Sequence, residues 1–262
     1  NPHHPRRYPF SLQLSELSPY AVAEILDLTD AQEERFFKAY DIAKRALERL
    51  GIFPADDAER REALEVDELE SGYPRLTLDH LYDVVRLVAA KVAKDPAPAL
   101  ATPAFEARKD DLEELIAAEQ PPGNVASWRA LQGKIGRLKR LGIFDRADCV
   151  LDYRKLIQPG WVSIVDLSDT DSPQINNLAI AQVLRGVQRA QEEAYREARA
   201  SGKPLTPVEI VVEEAHEFLS AERIRRMPVL FQQVTRIARR GRKRWLGLVF
   251  VTQLPQHLPD EV

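Results

Sequence analysis

The sequence predicts an α/β protein: a parallel sheet in the C-terminal part, preceded by a large all-helical insertion. Two patterns predict it. From Gly160 onward, short continuous apolar runs alternate with segments of helical periodicity, as parallel strands covered by helices on both faces do. Between residue 21 and about residue 145 the apolar spacing is helical instead.

The C-terminal elements follow in order. Trp161-Val162-Ser163-Ile164-Val165-Asp166 reads as a first strand. Gln174–Ala200 reads as an amphipathic helix carrying Ile175, Leu178, Leu184, Val187 and Ala194. Ile210–Val212 is a second buried strand, and Ala221–Arg240 a helix with Ile224, Met227, Phe231, Val234 and Ile237 on one face. Leu246–Thr252 is the third strand. Function in such sheets gathers at the carboxyl ends of the strands. Asp166, Glu213, Glu214, Thr252 and Gln253 all fall there.

In the helical region the clearest segments are Glu34–Leu50, Leu78–Lys94 and Val125–Leu141, separated by the breakers Asp95-Pro96-Ala97-Pro98 and Gln120-Pro121-Pro122-Gly123. Leu-Gly-Ile-Phe occurs twice, at Leu50–Phe53 and Leu141–Phe144. Local chemistry used twice accounts for it: Gly51 and Gly142 are expected at the left-handed position that ends a helix. Residues 1–20 are Pro-rich, with an alternating stretch at Phe10–Leu14 that suits an edge strand.

Composition narrows the function classes. A net charge of −4 excludes a globally basic nucleic-acid binder. The balance is uneven, however, with nine Lys or Arg and no acid between Arg223 and Arg244. Cys149 is the only cysteine, so no intrachain disulfide can form and a reducing cytoplasm fits. No apolar run approaches the roughly 20 residues that span a bilayer, so no membrane partner is expected. The first residues, Asn-Pro-His-His-Pro, read as a cut end of a longer protein.

The chemistry centres on Glu213 and Glu214. Adjacent carboxylates at a strand end can divide two jobs, one ordering metal-bound water and the other orienting an attacking water. A solvated pair favouring the N-terminus of the next helix is the alternative. Glu214-Ala215-His216-Glu217 lacks the i,i+4 His pair of a zinc protease, and no dedicated transition-metal site is expected. The basic run Arg236–Arg244 is open to three readings: an arginine offered to a neighbouring subunit's site, contact with DNA phosphates, or a solvated helix end. Gln253 follows the third strand, where it could hydrogen-bond a γ-phosphate or its water. No GxxxxGK[ST] phosphate loop occurs among the 262 residues.

These residues resemble the HerA family of hexameric DNA-translocating ATPases, in the FtsK–HerA branch of RecA-like P-loop motors. The matching pieces are Ile210–Leu219, Ile237–Lys243 and Gly247–Pro255, with Leu156–Leu167 upstream, together covering about the last 110 residues. The resemblance implies a RecA-like P-loop NTPase core over residues 146–262, a helical insertion over 21–145, and an N-terminal edge segment of the core over 1–20. It implies ATP and Mg²⁺ as cofactors. Glu213 matches the Walker B acid that holds Mg²⁺ through water, although the family usually has Asp there. Glu214 matches the catalytic glutamate, Arg239 and Arg242 the arginines of which one is the trans finger, and Gln253 the sensor-like residue. The family's phosphate loop and small N-terminal barrel would precede residue 1, leaving this segment alone inactive.

The resemblance further implies a homo-hexamer on DNA that couples ATP hydrolysis to translocation, in DNA-end resection with a nuclease of the NurA type or in phage defence with another effector. The alternative is a non-catalytic helical and α/β module that docks a nuclease or DNA. A carboxylate-metal nuclease using Asp166, Glu213 and Glu214 is disfavoured because no Lys stands close behind the acids.

Overall fold

The computed structural model describes residues 7–168, 172–220, 224 and 228–258, and the chain divides after Val150 into two compact units. The first unit is helical: α1 (Pro19–Ile25), α2 (Asp30–Arg49), α3 (Asp57–Glu65), α4 (Leu78–Ala93), α5 (Pro103–Ala107), α6 (Lys109–Ala118) and α7 (Val125–Arg140). Its core lies where α2, α4 and α7 pack together. Phe36, Ile42, Leu47, Leu81, Val84, Val88, Trp128, Leu131 and Ile135 are buried there. Helix starts are fixed by side-chain caps, with capping boxes at Thr29 and Thr77 and Asn124 Oδ1 accepting from Ser127 N–H. Gly51 and Gly142 sit at φ +66° and +65°, the left-handed helix ends that the repeated Leu-Gly-Ile-Phe predicts.

Two carboxylates, buried Asp83 and half-buried Asp145, tie loops to this core. Asp83 accepts the backbone N–H groups of Ala101 and Thr102 at 2.9 and 2.8 Å. Asp145 accepts those of Leu14 and Leu78 at 2.8 and 2.7 Å. The Phe10–Leu14 stretch makes one parallel bridge, Leu12 to Phe144, before a 3-10 turn at Leu14–Glu16. Leu12 N–H donates to Ile143 O, and Ser11 N–H donates to Cys149 O. This stretch therefore joins the helical unit by its hydrogen bonds.

Glu24 is half-buried, and its Oε2 is enclosed without a hydrogen-bond partner. Burial first, and the Glu33 charge second, push its carboxyl up to about 7. The folded state thus holds a proton that the unfolded chain has lost between about pH 4.5 and 7, so stability falls as pH rises through that window. After allowance for its solvent contact, a loss of about 1–2 kcal/mol between pH 5 and 7.5 is expected. Glu24→Gln should flatten the profile. Buried Trp128 reports on this unit, since Trp161 and Trp245 are exposed, and a urea midpoint that rises with pH would contradict the expectation.

The second unit holds α8 (Tyr153–Leu156), α9 (Pro173–Ser201), β1 (Val208–Val212), α10 (His216–Leu219), α11 (Pro228–Arg240) and β2 (Leu246–Phe250). The strands pair in parallel, Val208 opposite Leu246 through Val212 opposite Phe250. Helices α9 and α11 contribute Leu184, Val187, Val234 and Ile237 to a core with Leu246, against which Val208, Ile210, Leu248 and Phe250 pack. Buried Gln191 sets the register. Its Nε2 donates to Thr206 O and Arg244 O at 3.0 Å each, clamping together the two segments that enter the strands.

Two expectations need correction. Trp161–Asp166 is not a strand: it has no ladder partner among the described residues, and Trp161, Val162 and Ile164 are 52%, 88% and 86% exposed. β-Propensity reflects fit to a neighbouring strand, and here no neighbour supplies that fit. Asp166 consequently lies at no strand end; it accepts from Ser168 N–H and Oγ–H. The described sheet is also covered on one face, not both. Glu209, Val211, Gly247 and Val249 alternate outward, because the core cluster gathers α9 and α11 with the opposite set of strand residues. The outcome is a small parallel α/β unit. Of the expected helix Ala221–Arg240, the part around Met227 lies outside the described residues.

Candidate functional site

The site forms where β1 and β2 end. The ladder continues one step past both strands: Val251 N–H donates to Val212 O, and Ala215 N–H donates to Val251 O, at 2.9 and 3.1 Å. Glu213 and Glu214 are bracketed between those two bonds. The chain turns there through Glu214, which stands at φ +48°. A non-glycine residue in the left-handed region is held there only when its surroundings demand it. The demand comes from the ladder on one side and α10 on the other, where Glu217 N–H donates to Glu214 O at 2.8 Å.

This turn brings Glu214 and Gln253 together. Gln253 Nε2 donates to Glu214 Oε1 at 3.0 Å. His216, only 16% exposed in its side chain, braces the same group from behind: its Nδ1 lies 3.4 Å from Glu214 Oε2 and 3.0 Å from Thr252 Oγ1. Thr252 Oγ1 also accepts from Leu254 N–H at 3.1 Å, which fixes the loop carrying Gln253. Glu213 is exposed and has no ion pair among the described residues. Its open oxygens suit a hydrated hard cation held through water. Among the described residues no group of three or more His, Cys, Asp or Glu could hold a metal directly.

The basic run lies at the other end of the sheet, where α11 passes through a 3-10 turn, Gly241–Arg244, into β2. Gly241 is required there: a Cβ would stand 2.4 Å from Leu246 O. The structure sorts the cations that the sequence presents as one block. Arg244 is spent on packing, its guanidinium 4.4 Å from the Tyr195 ring centre, and Arg236 is half-buried. Arg239, Arg240, Arg242 and Lys243 are exposed. Strands of this length separate Arg239 and Arg242 from the acids by about 15–20 Å. The structure therefore joins Glu214 with Gln253, sets Glu213 beside them, and keeps both arginines apart.

A place for His216 beneath the acids is legible in the sequence, but its partner Thr252 and the left-handed Glu214 are not. The alternation of apolar and acidic letters carries no trace of either.

No family model matches the chain. It is similar to proteins described as DNA double-strand break repair helicase HerA. The relative from Sulfurisphaera tokodaii is 27% identical over 157 residues, 60% of this chain and 27% of the relative. That from Sulfolobus acidocaldarius is 33% identical over 111 residues, 42% and 21%. That from Saccharolobus solfataricus is 26% identical over 178 residues, 66% and 33%. The chain thus spans between about a fifth and a third of the length of these relatives. No described helix is long and apolar enough to cross a membrane.

Proposed function

We propose that this chain is part of a ring-forming, ATP-driven DNA translocase or helicase of the HerA type, with a RecA-like core, acting in repair alongside a nuclease. The observation that carries the reading is the Gln253–Glu214 hydrogen bond at the ends of two paired parallel strands. The distant likeness to HerA helicases supports it. In this reading Glu214 is the base that orients the attacking water, Gln253 holds its carboxylate and senses the γ-phosphate, and Glu213 holds Mg²⁺ through water. Bound Mg²⁺·ATP supplies the phosphoryl group and the charge that neutralises it. Arg239 or Arg242 serves the site of the neighbouring subunit.

The residues here supply the water and metal side of such a site. The backbone amides and Lys that cradle a triphosphate are missing from the sequence. The gene upstream of Asn1 is therefore expected to encode a GxxxxGK[ST] loop, and its whole product to hydrolyse ATP faster when DNA is added. A gene without that loop, or a product indifferent to DNA, would leave the interaction-module reading in its place. Calorimetry on residues 1–262 alone should show no micromolar Mg²⁺-dependent ATP binding. Micromolar binding would refute the divided site.

A further inference from the structure

An open groove of about 430 Å³ runs along α7 in the first unit, lined by Tyr82, Arg129, Gln132, Gly133, Gly136 and Arg140. A second hollow of about 260 Å³ shares Arg129 and Gln132 and reaches Arg86, Ala90 and Asp95 on α4 and the segment after it. The α7 residues of the first groove recur at intervals of three and four, so they form one stripe of the helix. Over its sixteen residues α7 carries Arg129, Lys134, Arg137, Lys139 and Arg140 and no acid.

The wall is arranged as a cationic one. The Tyr82 ring has Lys139 Nζ 5.3 Å and the Arg86 guanidinium 5.6 Å from its centre, which holds two cations beside the groove. Nearby carboxylates offset part of the charge: Asp95 pairs with Arg129 at 2.9 Å and Asp79 with Lys139 at 2.7 Å, while buried Asp83 lies 3.9 Å from Arg86. Arg137 and Arg140 are exposed and have no ion pair among the described residues.

The floor supplies an independent sign. Glycine inside a helix is destabilising relative to alanine. At Gly136 packing explains it, since a Cβ would press on the Tyr82 ring at 3.4 Å. At Gly133 nothing does: a Cβ would meet no atom within 4 Å, and the residue is exposed in mid-helix. The fold gains nothing from that glycine. What it leaves is bare backbone at the base of a basic groove, the arrangement that lets a ligand approach closely.

We propose that this groove holds the phosphodiester backbone of a nucleic acid, with Arg129 and Arg140 on separate phosphates and Gly133 as the floor. Arg129 and Arg140 stand eleven residues apart on α7, about 16 Å, roughly five nucleotides along one strand of B-form duplex. Apart from Tyr82, whose ring is already flanked by Lys139 and Arg86, no large apolar side chain lines the groove to anchor a protein partner. The proposal is independent of the acids and arginines of the second unit.

Fluorescence anisotropy with labelled oligonucleotides, single-stranded and duplex, across a salt series on the whole chain tests it. The double variant Arg129→Ala, Arg140→Ala is expected to bind at least one form about tenfold or more weakly and to reduce the slope of log affinity against log salt by about 1.4–1.8. Gly133→Leu should hold or raise the melting temperature while weakening binding similarly, which separates a filled groove from a damaged fold. Wild-type affinity and slope in both variants overturns the proposal. So does displacement by polyglutamate as effective as displacement by unlabelled oligonucleotide, which would mark the groove as a site for acidic protein.

Discussion

Glu214→Gln, placed in a protein that joins this chain to a phosphate-binding loop, is expected to lower ATP turnover by about 10²–10⁴-fold while leaving Mg²⁺·ATP binding nearly intact. The substitution is nearly isosteric, and its amide oxygen can still accept from Gln253 Nε2, so the 3.0 Å contact that organises the rim survives. What disappears is the charge and the capacity to take a proton from water. The backbone turn is held independently by the two ladder bonds around Val251 and by the Glu217 N–H bond to Glu214 O, so the φ of +48° should persist in the variant. Phosphate release measured beside equilibrium binding of a labelled nucleotide separates the two quantities. Undiminished turnover would remove Glu214 from the chemistry, and lost binding with unchanged turnover per bound nucleotide would reassign it to the metal. Glu213→Gln, at the exposed neighbour, is the companion that should move Mg²⁺ dependence instead.

Much of what positions this site could be read from letters, and the reasons for the failures are physical. Helices α2, α4, α7 and α9 carry wide apolar stripes, and their periodicity places them within a few residues of their observed ends. Helix α3 buries none of its residues, so it had no stripe to announce it. The acid pair could be placed because the apolar run that precedes it does find a parallel partner, so the charges that follow stand at a strand end. Trp161–Asp166 is likewise an apolar run ending in charge but has no ladder partner among the described residues, which composition cannot report. Likewise Ile210–Val212 reads as doubly buried although Val211 is exposed. Asp83, Asp145 and Gln191 look like surface letters, yet each satisfies backbone groups of distant segments. Only the tertiary path reveals such partners, and the left-handed Glu214 belongs with them.

The two ends of the β1–β2 pair make the arginines the sharper test of assembly. Arg239, exposed in the last turn of α11, is separated from the acids of its own chain by the length of the strands. A solvated cation at a helix C-terminus contributes only about 0.3–1 kcal/mol, so Arg239→Ala should change stability little. A trans finger is a different matter: removing one is expected to cost on the order of 10³-fold or more in turnover. In the proposed ring, each variant subunit mixed with wild type should silence a neighbour's site, and activity should fall more steeply than the fraction of variant added. A strictly proportional decline would confine Arg239 to its own subunit, and a fully active variant ring would strike it from the mechanism. The same titration with Arg242→Ala decides between the two arginines. Arg244 serves as the internal control: its guanidinium is already engaged on Tyr195, so its loss should appear in the melting temperature and not in the curvature of the mixing plot.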